Sequence, residues 1–183
     1  MSSRKQFLQQ SSKGLFSFLL LPGLASSMTA NEDFKGMLVS DEEGEAYQWR
    51  DGTALVRIKI SKANGAQAIS FLSESFIPGD AIRVHKHTNE DELIFIHKGT
   101  GVFTLGEKEY PVQAGDVALV PKGVWHGLRN TGKKNIEMRF AYTPSGFEGY
   151  FRDLGTPVGQ PFRQRSPEER KSVELKWGLI RKV

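Results

Sequence analysis

Three of the four histidines in this chain lie within thirteen residues, at His85, His87 and His97. His85 and His87 are separated by one residue in a stretch that alternates between apolar and polar side chains, which is typical of a β-strand. Both imidazoles therefore leave the same face of the sheet. Two imidazoles on one face can direct their nitrogen atoms at one point, so the spacing predicts a pair of ligands for a common centre.

Two further residues can complete this centre. Glu92 follows the polar turn "TNED" on the next strand, and we expect a hairpin return to bring its carboxylate beside the histidine pair. His126 follows on a later strand, which a rolled sheet can carry to the same point. Three neutral imidazole nitrogens and one carboxylate oxygen are ligands that suit a divalent transition metal. His97 lies five residues after Glu92, so it faces the other way, as a surface or second-layer histidine.

The elements that must position these residues are short strands. Between residues 47 and 143, Gly, Pro or Asn separates most of the strand candidates, which recur at intervals of roughly 8 to 12 residues. No alternation of strands with helices supports a parallel sheet, so we expect an all-β, antiparallel barrel or sandwich. A hairpin around Asn64-Gly65 is predicted at its start. The candidate strands are ALVRIKIS, AISFLSESFI, AIRVHKH, ELIFIHKG, GVFTLG, KEYPVQ, DVALVP, WHGLRN and IEMRFAYTP.

The tail has the periodicity of a helix. Ser166 is the predicted N-cap, Glu169 closes a capping box with it, and Gly178 lies just past the predicted end. Val173 and Trp177 are four residues apart, so they share one face of this helix and can pack on the barrel.

The first 27 residues have the order of an export signal: basic residues without acidic ones, then an apolar run, then small residues. The opening "SRKQFL" is similar to the twin-arginine export motif, with Lys5 in place of its second arginine. Cleavage is expected after Ser27 or after Ala30, which predicts a periplasmic or extracellular protein. The alternative is a buried or amphipathic N-terminal helix. The apolar run is shorter than the ~20 residues of a membrane-spanning helix, so we expect no stable membrane insertion.

Charge and cysteine content exclude several classes of protein. Without residues 1–27 the basic residues fall from 25 to 22 while the acidic residues remain 21, so the remaining chain is nearly neutral. It lacks the excess of Lys and Arg that nucleic-acid binding requires, and no nucleic-acid partner is expected. The chain has no cysteine, which rules out disulfides and thiolate ligands, so a metal must be held by nitrogen and oxygen atoms.

Two sequence motifs resemble the signature motifs of the cupin superfamily. The first has the spacing G-x5-H-x-H-x4-E-x6-G and the second the spacing G-x5-P-x-G-x2-H-x3-N. The resemblance implies a jelly-roll barrel, or double-stranded β-helix, that binds one divalent transition metal ion (Fe, Mn, Ni, Cu, Co or Zn) through His85, His87, Glu92 and His126. The alternative is a metal-free barrel in which these residues only form hydrogen bonds. The ten matching residues are Gly79, His85, His87, Glu92, Gly99, Gly115, Pro121, Gly123, His126 and Asn130.

The segment after the barrel is similar to that of quercetin 2,3-dioxygenase-like single-domain cupins. The resemblance implies a dioxygenase of small aromatic or enolic compounds, in which Glu92 is both a metal ligand and the catalytic proton acceptor. The matching residues are Pro144, Gly146, Phe147, Glu148, Tyr150, Phe151, Leu154, Gly155 and Pro157.

The predicted organisation is an export signal at residues 1–27, a leader at 28–46, the barrel at 47–143, and a C-terminal loop and helix packed on the barrel at 144–183. Two other functions remain open for the same site. One is a metal-dependent isomerase, decarboxylase or lyase that does not use dioxygen, and the other is a non-enzymatic protein that binds a small molecule. A homodimer formed through edge strands is also open.

Glu74 precedes the first motif. It is either a hydrogen-bond partner of a ligand imidazole or, as is more common for a glutamate on a strand, an exposed residue.

Overall fold

The computed structural model describes residues 36–182, so the predicted export signal lies outside the described residues. This part of the chain contains twelve strands and two α-helices. Helix α1 is Gly149–Leu154 and helix α2 is Pro167–Lys176. The strands are β1 (Glu45–Trp49), β2 (Ala54–Ile60), β3 (Ser70–Phe76), β4 (Ala81–His87), β5 (Asp91–Lys98), β6 (Thr100–Leu105), β7 (Lys108–Gln113), β8 (Val117–Val120), β9 (His126–Arg129), β10 (Ile136–Thr143), β11 (Thr156–Pro157) and β12 (Leu179–Arg181).

The strands form two antiparallel sheets, which confirms the predicted all-β jelly-roll fold. The larger sheet has seven strands in the order β11-β1-β2-β3-β10-β5-β8, and the smaller has five in the order β12-β4-β9-β6-β7. The predicted hairpin is present as β2 and β3, which pair along their length. Alternation along each strand turns one set of side chains toward the space between the sheets.

The apolar core lies between the two sheets. Its most deeply buried side chains come from strands of both sheets, and α1 adds aromatic residues at one end. The side chains that are at most 2% exposed include Leu72, Phe76, Leu128, Ile136, Met138 and Phe140. Burial of such side chains stabilises the fold by ~1.5–3 kcal/mol each relative to exposure.

One predicted connection is wrong. We expected β4 and β5 to form a hairpin, but β4 pairs with β9 and β12, whereas β5 pairs with β10 and β8. Residues 88–90 therefore carry the chain from the smaller sheet to the larger one. Glu92 still comes close to the histidine pair, because it faces the pair across the barrel interior.

The C-terminal helix is confirmed, with Ser166 and Glu169 in a capping box. Val173 and Trp177 pack against the core from one face of α2. The structure also has two tail strands that the pattern did not predict: β11 pairs with β1 and β12 pairs with β4. In residues 36–182, no helix is both long and apolar enough to cross a membrane.

Candidate metal centre

Two neighbouring strands of the smaller sheet supply the three histidines of the candidate centre. His85 and His87 lie on β4 with both side chains turned inward, as predicted, and both are buried. His126 is the first residue of β9 and lies directly opposite His85 in the register of the two strands. The imidazoles therefore meet because of strand alternation and strand pairing together.

The turn before β9 fixes the position of His126. Gly123 has a φ of 81°, a left-handed conformation that glycine adopts at little cost. Its N–H donates to the carbonyl of His87 at 2.7 Å, which ties the turn to the strand that carries the histidine pair. At the other end of β9, the Asn130 side chain donates to the carbonyls of Phe76 and Lys134. The second motif thus fixes both ends of the strand that presents His126.

Glu92 completes the centre from the larger sheet. Its Oε2 atom lies 2.8 Å from Nε2 of His126 and 3.3 Å from Nε2 of His87. The Nε2 atoms of His85 and His87 are 3.2 Å apart. One ligand atom from each of the four residues lies within 4.8 Å of the others. The four predicted ligands are therefore brought together, and all four are buried.

Backbone contacts set the tautomers of two imidazoles. Nδ1 of His85 lies 2.9 Å from the carbonyl of Arg83, and Nδ1 of His126 lies 3.1 Å from the carbonyl of Val124. A carbonyl only accepts, so both Nδ1 atoms must carry the hydrogen. In the neutral rings, the lone pairs of Nε2 then point at the centre. Such an orienting bond is typical of histidines that bind metals.

Charge and burial shift the pKa values of Glu92, His126 and His85. Burial raises the pKa of the Glu92 carboxyl, but its contacts with His126 and His87 outweigh burial and bring it below its usual value. Burial lowers the pKa of His126, but the carboxylate of Glu92 outweighs this and raises it. Burial, together with the neighbouring imidazoles, lowers the pKa of His85 well below its usual value. The carboxylate is ionised and His85 is neutral at neutral pH, as metal binding requires.

The donor set fits a divalent transition metal. Three nitrogen atoms and one carboxylate oxygen converge without competing thiolate ligands. Without a cation or a proton between them, the Nε2 lone pairs of His85 and His87 repel each other at 3.2 Å. The buried Nδ1 atom of His87 has no hydrogen-bond partner among the described residues. The cluster is thus compatible with a metal site, and its chemistry does not select one metal ion.

The centre opens into a cavity of about 330 Å³ between the two sheets. His85, Glu92 and His126 form part of its wall, and charged side chains line other parts of it. Most of the remaining wall is aromatic or aliphatic, and α1 contributes to it. The aromatic residues of the wall are Trp49, Phe103, Phe140, Tyr142, Phe147, Tyr150 and Phe151.

The other residues considered from the sequence lie elsewhere. His97 is exposed on the outer face of β5, as predicted. Glu74 is only 3% exposed, so the expectation of an exposed glutamate is wrong. No hydrogen bond joins Glu74 to a ligand imidazole among residues 36–182. Glu74 instead forms an ion pair with Arg50.

Sequence reasoning missed two residues of the cavity. Arg50 enters it from the turn after β1, and nothing in the spacing of that turn indicates this. Tyr142 lies opposite Glu92 in the register of β10 and β5. Burial, followed by the charge of Glu92, raises the pKa of Tyr142 well above its usual value, so its hydroxyl keeps its proton. The inward alternation of β10 is a signal that could have placed Tyr142 in the barrel.

Comparison with known proteins identifies the barrel independently. Residues 73–142 match the family model described as "Cupin domain". The chain is 40% identical over 60 residues to an oxalate-binding protein of Thermotoga maritima, covering 33% of this chain and 50% of that protein. It is 27% identical over 128 residues to germin-like protein 5-1 of Oryza sativa subsp. japonica, covering 64% and 56%. The chain thus spans about half the length of these two curated relatives.

Solved structures have the same fold. A crystal structure described as a predicted oxalate decarboxylase from Thermotoga maritima matches with a TM-score of 0.54 and 28% identity, over 59% of this chain and 99% of that one. KdgF from Halomonas sp. matches with a TM-score of 0.55 and 15% identity, over 62% and 98%.

Proposed function

The chain belongs to the cupin superfamily, and we propose that it is an exported, metal-dependent dioxygenase of small aromatic or enolic compounds, similar to quercetinases. The proposal rests on one observation: three imidazoles and one carboxylate converge at a cavity whose wall includes seven aromatic residues. Aromatic walls suit a planar substrate. The cavity of about 330 Å³ is at the small end of the range for ligand pockets, which favours a small compound.

The residues of the site suit the chemistry of such a reaction. His85, His87, Glu92 and His126 would hold a divalent transition metal, which would supply Lewis acidity and a centre for dioxygen chemistry. The carboxylate of Glu92 is ionised and faces the cavity, so it can accept a proton from a substrate hydroxyl.

A second function is favoured by the relatives. The names of two of them refer to oxalate binding and to a predicted oxalate decarboxylase. The same ligands can support a decarboxylase, isomerase or lyase in which the metal acts only as a Lewis acid. They can also support a protein that binds a small molecule without converting it. Consumption of dioxygen separates the first proposal from both of these.

The test begins with the metal. We would express the whole chain, purify it from the compartment that it reaches, and measure bound metals by elemental analysis. Loss of a residue that orients a metal ligand typically weakens metal binding by about 10- to 100-fold. His126→Ala removes one of the four ligands themselves, so we expect a larger loss. His97→Ala is the matched control, because it removes an exposed histidine from the same barrel and should leave the metal content unchanged.

Each outcome supports a different function. About one equivalent of a redox-active metal, with oxygen uptake on addition of 3-hydroxyflavone, supports the dioxygenase. Zinc without oxygen uptake supports the Lewis-acid enzyme. Absence of metal from the wild-type protein contradicts both enzymatic proposals and leaves a binding protein.

Export and assembly remain predictions. We propose export by the twin-arginine route, with cleavage after residue 27 or residue 30, and a homodimer. Recovery of the cleaved chain from the periplasm or the medium supports export, and the mass of the purified protein in solution tests the dimer.

A further inference from the structure

A second polar cluster lies in the wall of the same cavity. The turn between β1 and β2 directs the side chain of Arg50 into the barrel. Arg50 and Asp51 have φ values of 46° and 58°, which are uncommon for residues other than glycine. Such conformations persist where the surrounding structure enforces them, and they cluster at functional sites.

Contacts on several sides fix the guanidinium of Arg50. Its Nε donates to Oδ2 of Asp80 at 2.9 Å, and Nη1 lies 2.6 Å from Oε1 of Glu74. The guanidinium also lies over the ring of Phe76, 4.6 Å from its centroid. Thr53 donates to the same Asp80 oxygen at 2.8 Å, which holds that carboxylate in place. Two carboxylates therefore hold Nε and Nη1 of Arg50, while its buried Nη2 has no hydrogen-bond partner among the described residues.

Glu74 is the member of this cluster that can contact a ligand. It lines the cavity. Its Oε1 is buried against Arg50 in an ion pair whose geometry does not meet the criteria for a hydrogen bond. Its Oε2 accepts no hydrogen bond from any residue of the part of the chain that the structure describes. Burial raises the pKa of Glu74, and the charge of Arg50 opposes this effect. The oxygen that is fully buried without a hydrogen-bond donor is Oε1, whereas Oε2 can accept a hydrogen bond from a ligand in the cavity.

Glu74 and Glu92 line the cavity at different positions along its strands. On β10, Met138 lies opposite Glu74 and Tyr142 lies opposite Glu92. Four residues separate these positions, which corresponds to about 13 Å along the strand. Side chains shorten this distance, and the carboxylate of Glu92 still acts on the pKa of Glu74. Backbone positions this far apart favour a planar molecule of two or three rings over a two-carbon dicarboxylate.

We propose that Glu74 is a specificity-determining residue that accepts a hydrogen bond from a phenolic hydroxyl at the end of the substrate remote from the metal ligands. The inference rests on the proposed function, because it assumes that the other end of the substrate reaches His85, Glu92 and His126. The local charge favours a hydroxyl over a carboxylate at this end. Two carboxylates surround one guanidinium, so a further anion is repelled.

The test compares two ligands that differ in one hydroxyl. Isothermal titration calorimetry would measure the binding of 3-hydroxyflavone and 3,4′-dihydroxyflavone to the metal-loaded, full-length protein without dioxygen, so that no turnover occurs. The dihydroxy compound is expected to bind about tenfold more tightly, as a hydrogen bond to a charged group predicts. Elemental analysis of the same samples reports the metal content.

Variants then assign the preference to Glu74. In Glu74→Gln the amide oxygen can face Arg50 and the amide N–H the cavity, so the variant should lose the tenfold preference. Glu42→Gln is the control, because Glu42 is an exposed carboxylate paired with Arg57 outside the cavity, and it should retain the preference. If Glu74→Gln does not fold, Glu74→Asp is the alternative. It keeps the charge but shortens the side chain by one methylene, so the carboxylate lies farther from the ligand and the preference for the dihydroxy compound should be reduced.

The outcomes distinguish this inference from the proposed function. Equal affinity of the two flavones for the wild-type protein, with metal bound and oxygen consumed, overturns the role of Glu74 and leaves the dioxygenase standing. A preference that survives in Glu74→Gln also overturns it. If the metal-loaded protein binds neither compound and consumes no oxygen with them, the proposed function and this inference fail together.

Discussion

Two imidazoles of the candidate metal centre, those of His85 and His126, differ in their affinity for protons. His85 is surrounded by apolar groups and other imidazoles, which keep it neutral. His126 faces the carboxylate of Glu92 at 2.8 Å, and this carboxylate raises the pKa of His126 above its usual value. The metal-free site therefore holds its extra proton on the His126–Glu92 pair. A metal ion must displace that proton before it can bind Nε2 of His126.

This difference predicts how metal binding depends on pH. Above the raised pKa of His126 the ring is neutral, so metal affinity is independent of its proton. Below that pKa each metal ion displaces one proton, so affinity falls by about tenfold per pH unit. NMR titration of the metal-free protein should show His126 titrating above 6.5, the usual value for histidine, while His85 stays neutral to well below it.

Glu92→Gln provides the control for this prediction. It removes the charge that raises the pKa of His126, so burial, which exceeds the opposing effect of the Val124 carbonyl, should bring the pKa below 6.5. The decline in metal affinity should then begin at a lower pH, although the affinity itself is weaker. An unchanged titration of His126 in Glu92→Gln contradicts the assignment of the proton to this pair.

Sequence spacing predicted the four converging residues but not the surroundings of Glu74. The four residues follow from strand alternation and from the two motifs, which encode local geometry. The partner of Glu74 is Arg50, which precedes it by 24 positions and enters the barrel because of its left-handed backbone. An alternating pattern contains no information on such a conformation, so an exposed glutamate was the natural but incorrect expectation.

At the scale of elements, strand length decided what could be predicted. β4 and β7 have the predicted bounds, because turn residues such as Gly79 before β4 and Gly106 and Gly115 around β7 mark their ends. β11 and β12 have two and three residues, too few for a period to appear. Their partners β1 and β4 lie more than 90 residues earlier in the chain, so only tertiary packing creates these strands. The incorrect β4–β5 hairpin has a similar cause, since spacing alone does not distinguish a turn from a crossing between sheets.

Helix α1 contacts Trp177, the residue directly after α2, so closely that little change is permitted. A Cβ atom added at Gly149 would collide with the ring of Trp177, whose indole N–H donates to Asp153 at 2.7 Å. Gly149→Ala is therefore expected to destabilise the protein by about 1–3 kcal/mol, as overpacking does. Chemical denaturation followed by circular dichroism measures this change.

A double-mutant cycle tests the origin of the loss. Trp177→Phe removes the atoms that collide, so it is destabilising alone but should relieve part of the cost of Gly149→Ala. The two substitutions together should cost less than the sum of the single ones, by at least about 0.5 kcal/mol. Additive costs would show that the collision with Trp177 is not the cause.

At the scale of the whole molecule, the tail is part of the barrel that presents the metal ligands. β12 pairs with β4 so that Leu179 lies opposite His87 and Arg181 lies opposite His85. The N–H of Thr88 also donates to the carbonyl of Gly178 at 3.0 Å. These contacts fix the strand that carries two of the four ligands, although the tail contributes no ligand itself.

Loss of the tail should therefore weaken metal binding while all four ligands remain. Deletion of residues 166–183 removes α2 and β12. We expect a loss of metal affinity of about 10- to 100-fold, as is typical when residues that orient metal ligands are removed. Competition with a metal indicator measures this loss, and circular dichroism checks that the shortened chain is folded.

Since the deletion itself can unfold the barrel, Leu179→Ala and Ile180→Ala provide a milder comparison on the same strand. Leu179 is 4% exposed and lines the cavity, whereas Ile180 is 40% exposed, so only the first substitution should lower the affinity. Equal affinities in both variants would mean that β12 only covers the barrel, and that β9 and the turn at Gly123 suffice to position the histidines.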